Sequence, residues 1–313
     1  MADTEGICSA HAMVLRAKPD TVLPEFLPFF MQSDLFMERA LSISVGSLSP
    51  TINWKALAKE EFLLPPIQEQ ARLVETFVAL DTSIEALREL ISRTSDLLGS
   101  LATELLNQHS LAELTDETPA PDAKWRNVCF DEVCERITYG FTNPMPTTED
   151  GPWMITAKDV IDGAINYSTA RHTSEEAYRD DLTDKSRVRA HDILLTKDGT
   201  LGRVALVDRK DVCINQSVAV LRPNENVLPR FLARVLRAPQ MQFRLMQDMG
   251  GSAVKHLYIT KVSKTRFFCP ELGLQSEICD QLDGVESQAI AAKARRDQLL
   301  GIAKKIQNEA LAK

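Results

Sequence analysis

FLLPPIQEQARLVETFVALDTSIEALRELISRTSDLLGSLATELLNQ, residues 62–108, decides the architecture. Its apolar residues fall at Leu73, Phe77, Leu80, Ile84, Leu87, Ile91, Leu98, Leu101 and Leu105, alternately four and three apart once Thr94 is counted in place. That is the a/d pattern of a coiled-coil helix sustained over more than four heptads. Pro65 and Pro66 suit a helix start, because proline fits the first turn and ends whatever strand precedes it. At about 1.5 Å per residue, a helix over 67–108 reaches roughly 60 Å. One helix cannot bury such a seam, so a partner is required.

The partner lies in the same chain, 205 residues later. Shifted by that offset, the seam becomes Ile278, Leu282, Val285, Ala289, Ala292, Arg296, Leu299, Ala303, Ile306 and Ala310, with Arg296 the only break. A leucine-rich seam facing an alanine-rich one places large side chains over small. The match continues upstream. GSLSPTINWKALAKEEFLLP (46–65) lies over GSAVKHLYITKVSKTRFFCP (251–270) without a gap, and LPEFL at Leu23 lies over LPRFL at Leu228. Leu15-Arg16 meets Leu221-Arg222 with one residue of slippage. A repeat of this length outranks any local motif as a guide to architecture.

With 44% apolar and 26% charged residues, the chain reads as globular, with about two domains. No apolar run approaches the roughly 18 residues that span a bilayer, and residues 1–20 lack a basic-then-apolar signal. The six cysteines form no CxxC pair, and with five histidines they give no metal-ligand spacing. Reduced, buried thiols and a cytoplasmic location follow as expectations. Net charge is −8, yet residues 230–266 hold eight Lys/Arg against one acid, Asp248, and residues 185–210 hold seven against three. A basic face on an acidic chain is compatible with DNA.

Residues 1–64 read as a strand near 8–16, an amphipathic helix over 24–41, a Ser/Thr/Pro loop over 46–53 and the run 54–62. By the repeat they match residues 206–269, and nothing matches 125–206. The expected order is an incomplete first domain (1–64), a long helix (65–110), a linker (111–124), a complete mixed α/β domain (125–270) and a second long helix (271–313). In the complete domain, 204–207 and 212–221 read as strands and 229–249 as helix.

DILLTKDGTLGRVALV (192–207) is the most distinctive local stretch. Gly199 and Gly202 allow positive φ, and Lys197, Thr200 and Arg203 beside them can meet phosphates. A glycine hairpin with solvated charges fits the same residues equally. NQS (215–217) offers Asn215 and Gln216 as base readers, against the plainer role of closing a turn. GSAVKH (251–256) carries Lys255, a candidate for phosphate, and His256, a candidate base reader, and stands opposite GSLSPT in the first copy, each before an apolar strand. The two loops are expected to converge on one face with Arg187 and Arg189, the acidic stretch 147–184 lying mostly elsewhere. Asn143-Pro144 resembles part of an amino-methyltransferase motif but lacks its second proline, its aromatic and a methyl-donor loop. Asp122 and Lys124 lie in the linker without the upstream acid of a nuclease, and there is no GxxxxGK[ST] run. Catalytic motifs are wanting.

The chain resembles the specificity (S) subunit of type I restriction–modification enzymes. The duplicated α/β-domain-plus-helix plan carries the resemblance, with PPIQEQ and PELGLQ at the helix starts, WRNVCFDEVCERITYGFT, TKDGTLGRVALV and LPRFL. It implies two target-recognition domains, each reading half of a split site on double-stranded DNA. An antiparallel coiled coil would hold them apart and dock methyltransferase (M) subunits, with restriction (R) subunits joining the complex. The seam places that serve are Leu80, Leu87, Ile91, Leu98, Leu101, Leu282, Val285, Leu299 and Ile306. No cofactor is expected in this chain, S-adenosylmethionine, ATP and Mg belonging to the partner subunits. The chain departs from the family in its short first copy, which a truncated gene, a complementary S fragment or a second copy of the chain would each explain. The alternative is a scaffold that bridges M subunits without reading DNA.

Overall fold

The computed structural model describes residues 7, 9, 12–46, 50–107, 114–161, 163–247 and 256–311. In chain order come α1 (Leu27–Met31), α2 (Asp34–Ser42), α3 (Trp54–Leu57) and α4 (Ile67–Leu105). Then follow β1 (Trp125–Cys129), α5 (Phe130–Val133), β2 (Cys134–Tyr139), β3 (Thr148–Ile155), β4 (Val160–Ile161), β5 (Ala164–Ile165), β6 (Arg171–His172) and α6 (Glu175–Asp180). The chain continues with β7 (Arg187–Val188), β8 (Ile193–Thr196), β9 (Val204–Leu206), β10 (Val212–Ile214) and β11 (Val218–Pro223). It closes with α7 (Pro229–Arg237), α8 (Pro239–Met246), α9 (Ile259–Lys264), β12 (Arg266–Pro270) and α10 (Leu272–Leu311). Two compact units divide these elements, Met1–Thr94 with Gln288–Lys313, and Ser95–Ser287.

The first unit is helical. Phe26, Phe30 and Phe36 bury against Leu73 and Phe77 of α4 and Leu311 of α10. Phe29 stacks on Phe77 at 4.9 Å, and Phe30 meets Phe62 edge-on at 5.1 Å. Such pairs contribute about 0.5–1.5 kcal/mol beyond their buried area. Two expectations fail here. Residues 9 and 12–16, the described part of the anticipated strand, join no ladder. The single helix over 24–41 breaks at Gln32 and Ser33, because Ser33 Oγ accepts the Phe36 amide at 3.2 Å and so caps a new helix, α2.

The second unit holds two four-stranded sheets. One has the order β2-β11-β8-β9 and is antiparallel throughout. The other has the order β6-β3-β10-β7, with β3 and β10 parallel. Strands β1 and β12 form a separate antiparallel pair. Ile193, Leu195, Leu221, Phe231, Leu232 and Leu236 share the main core, each fully buried. The anticipated strand over 212–221 is cut in two by a turn at 215–217. The anticipated helix over 229–249 is cut at Ala238, where Pro239 offers no amide and opens α8. The loops at 46–53 and 251–256 lead into short helices, α3 and α9, rather than strands. Asn53 Oδ1 caps α3 through the Lys55 amide at 2.9 Å.

Both long helices form, α4 ending at Leu105 with Asn107 left-handed just beyond (φ 51). Every seam position named above is buried or half-buried. In the first unit Leu73, Phe77 and Leu80 cluster with Ile306, Ala310 and Leu311. In the second, Leu98, Leu101 and Leu105 cluster with Ile278 and Leu282. The start of each helix meets the end of the other, so the pair is antiparallel. The repeat is equally plain. Helices α2, α3 and α4 begin at Asp34, Trp54 and Ile67, and α8, α9 and α10 begin 205 residues later at Pro239, Ile259 and Leu272.

Candidate nucleic-acid interface

Strand β8 is buried along its whole length and delivers Lys197 and Asp198 to the surface. The loop beyond closes on itself. Thr196 Oγ1 accepts the Arg203 amide at 2.9 Å and donates to the Thr200 carbonyl. Gly199 and Gly202 take φ of 76 and 78. A Cβ on Gly202 would sit 2.3 Å from both Gln242 Oε1 and Met246 Cε, the movable ends of long side chains, so it is the positive φ that calls for glycine here. Arg203 Nη1 reaches back to the Val160 carbonyl at 3.2 Å and braces the loop.

His256 lies beside the first loop. Residues 251–255, with Lys255, lie outside the described residues, but His256 bridges Asp198 across backbone and side chain. His256 Nδ1 lies 2.5 Å from Asp198 Oδ1, and the Leu257 amide donates to the Lys197 carbonyl at 2.9 Å. Lys197 Nζ donates to Asp198 Oδ2 at 2.7 Å. Burial pushes the Asp198 carboxyl up, but the hydrogen bonds from His256 and Lys197 outweigh it and hold the group below its ordinary value. Lys197 is thus largely neutralised, its side chain only 16% exposed.

A third segment completes the patch. Tyr139, at the end of β2 and 39% exposed, has Lys185 Nζ at 5.5 Å and Lys197 Nζ at 5.3 Å from its ring centroid. Cations over an aromatic face attract it electrostatically. Neither Tyr139 nor Lys185 was singled out by sequence; Tyr139-Gly140 was the available signal, since a Cβ on Gly140 would lie 1.7 Å from the Ile214 carbonyl oxygen. That contact seats the turn at 215–217. Asn215 Oδ1 accepts from Ser217 N (3.1 Å) and Ser217 Oγ (2.6 Å), so Asn215 does close a turn. Its Nδ2 has no partner among the described residues. Gln216 is exposed, its amide donating to the Phe141 carbonyl at 2.8 Å. The Lys197 amide donates to the Ser217 carbonyl at 2.9 Å and locks turn and loop together.

The remaining cations behave otherwise than their clustering in sequence suggests. Arg187 is tied to Asp184 at 3.0 Å and to the Arg179 carbonyl at 3.1 Å. Arg189 is exposed, and no described contact joins its side chain to either loop. Of the acidic stretch, Asp184 takes Arg187, and the buried Asp159 lines the same cavity as Asn215. Most of the basic segment 230–266 is spent on packing. Arg230 pairs with Asp280 at 2.7 Å, Arg234 with Asp283 and Glu286, and Arg237 with Glu286 at 2.8 Å. Lys264 pairs with Asp131, and Arg266 with Asp116 and Glu132. These pairs fasten α7 onto α10 and the stretch 114–118 onto β1 and β12.

The family described as "Type I restriction modification DNA specificity domain" matches residues 1–93 and 123–300. The chain is 27% identical over 264 residues to the type I restriction enzyme EcoBI specificity subunit of Escherichia coli, across 75% of this chain and 55% of that protein. It is 28% identical over 127 residues to the StySPI specificity subunit of Salmonella potsdam, across 40% of this chain and 25% of that one. The chain therefore spans about half or less of the curated relatives it matches. Among solved structures it is similar to a chain from a study of assembly and conformational transition in a type I R-M system (TM-score 0.57, 18% identity, 95% of this chain and 73% of that one). The S subunit from M. genitalium matches with a TM-score of 0.57 at 15% identity, across 94% of this chain and 74% of its own. At these identities the likeness is one of fold.

Proposed function

We propose a function from one established premise: the chain belongs to the family of type I restriction–modification DNA specificity domains. It reads double-stranded DNA through the unit that holds β1 to β12, and it positions methyltransferase subunits along the antiparallel pair α4 and α10, with restriction subunits joining the complex. The observation that carries the reading is Tyr139 with Lys185 and Lys197 over its ring, next to the turn that presents Asn215 and Gln216. Lys185, the exposed cation there, meets phosphate, whereas the amide edges of Asn215 and Gln216 meet bases. His256 contributes by holding Asp198.

The chain itself performs no chemistry in this reading. S-adenosylmethionine, ATP and Mg belong to its partners, and the complex works in the cytoplasm. No helix among the described residues is long and apolar enough to cross a membrane. A complementary S fragment or a second copy of the chain is a further partner in this reading. Arg16 matches Arg222 across the repeat. Arg222, its counterpart, is clamped by Asp192 at 2.8 and 2.6 Å, while Arg16 is exposed and has no partner among the described residues. Mobility shift of a random duplex by the chain with its methyltransferase partner tests the DNA reading. A shift at low salt is expected, and none at low salt would refute it.

A further inference from the structure

A cavity of about 300 Å³ is lined in part by Asn215. Phe141, Met145 and Met154 give it apolar walls, Asn215 gives it an amide, and the exposed Lys158 and Arg171 also line it. Its size is at the small end of ligand sites, which run to about 1,000 Å³. The polar inventory is selective. Asp159, fully buried, already accepts Thr156 N at 2.9 Å, Thr156 Oγ1 at 2.6 Å and Thr169 Oγ1 at 2.9 Å. Asn215 Oδ1 is taken by Ser217. What remains is the Asn215 Nδ2 donor, together with two cations that have no counter-ion among the described residues.

A bare anion does not suit this space, because its walls are apolar and its inner charge is a carboxylate. A planar, acceptor-bearing ring that carries its phosphate outside does suit it. Phe141 and the methionines would cover the ring faces, Asn215 would donate to a ring nitrogen or carbonyl, and Lys158 and Arg171 would take the phosphate at the mouth. We propose that this cavity holds one nucleotide turned out of the DNA, its base inside and its backbone phosphate on Lys158 and Arg171. The proposal rests on the DNA-binding reading above. It adds a site of its own: Asn215 reads an extruded base while the Tyr139 patch grips the duplex.

The test uses the full chain. Each of the four deoxynucleoside monophosphates, the parent nucleosides and inorganic phosphate are titrated calorimetrically, with duplex binding scored in parallel. At least one monophosphate should bind at a single site, about tenfold or more tighter than its nucleoside or phosphate alone. Lys158→Ala, an exposed change that leaves the turn intact, should weaken the nucleotide about tenfold and spare the nucleoside. Thr147→Trp, which plugs the mouth from an exposed position, should abolish both. A random duplex with one unpaired bulged base should displace the nucleotide and bind tighter than the fully paired duplex. Absence of saturable nucleotide binding in a chain that still shifts duplex overturns the cavity assignment and leaves the DNA reading standing. Nucleotide binding that survives Thr147→Trp also overturns it. If bulged and paired duplexes bind alike while free nucleotide binds, the extruded-base assignment is overturned in favour of a free mononucleotide.

Discussion

Gln70 and Gln275, 205 residues apart, make the same three hydrogen bonds, each 0% exposed. Gln70 Oε1 accepts the Leu23 amide at 2.9 Å, and its Nε2 donates to the carbonyls of Pro65 (2.8 Å) and Thr21 (3.1 Å). Gln275 Oε1 accepts the Leu228 amide at 2.7 Å, and its Nε2 donates to Pro270 (2.8 Å) and Asn226 (3.2 Å). All three partners of one network recur at the same offset in the other. Each glutamine ties the first turn of a long helix to the preceding proline and to the segment that leads into the domain's helices.

Loss of either amide leaves buried backbone groups without partners, at about 1–3 kcal/mol each. Gln275→Leu should therefore destabilise the second unit by roughly 3 kcal/mol, and Gln70→Leu the first unit by a similar amount. Gln68→Leu, on an exposed face of the same helix, should stay within about 0.5 kcal/mol. Denaturant unfolding with separate probes for the two units checks this.

Arg222 and Asp192 form a bidentate pair in which the carboxylate side chain is 3% exposed. Arg222→Met strands that charge and should cost about 3–5 kcal/mol, most of it regained in the double variant Arg222→Met/Asp192→Leu. Arg16→Met, at the matching place in the first copy, should change stability by less than about 0.5 kcal/mol. Urea midpoints of the variants compare them directly.

Asp198 supplies a pH dependence. Its carboxyl is held below the ordinary 3.8, burial opposing and the His256 and Lys197 hydrogen bonds prevailing. A carboxyl depressed on folding stabilises the folded form above its ordinary value and loses that contribution as pH falls through the folded pKa. Between about pH 5 and pH 3, the unfolding midpoint of Asp198→Asn should fall less than that of the parent. Equal falls would show that Asp198 is not the group responsible.

The seam offers a separation of functions. Leu87 sits half-buried on α4 within the first unit. Leu87→Asp should weaken the helix pair there and release methyltransferase subunits on size-exclusion chromatography. Trp153 fluorescence should still report a folded second unit. Retained co-elution would remove the seam from docking.

The helices were legible because a heptad seam repeats a local rule ten times over, and the 205-residue offset located the partner without any structure. Local capping was harder to read. Ser33 and Pro239 each divide a run whose apolar spacing is continuous, since one hydroxyl or one missing amide outweighs periodicity there. The site was legible only in part. The glycine loop and His256 do meet, but Arg230, Arg234 and Arg237 are consumed by Asp280, Asp283 and Glu286, roughly fifty residues onward. Charge counted along a sequence cannot anticipate neutralisation by a distant helix. Tyr139 and Lys185 carry little signal in the sequence for the same reason, as their juxtaposition with Lys197 joins three separate segments.

The most direct measurement is fluorescence anisotropy of a labelled random duplex, titrated with the chain and its methyltransferase partner across a salt series. Binding should weaken with salt at about −0.9 in log–log slope for each phosphate met. Lys185→Ala should make the slope shallower by about 0.9, while Lys197→Ala, already paired with Asp198, should change it less. An unchanged slope in Lys185→Ala, or no binding at low salt, would contradict the assignment of the Tyr139 patch to DNA.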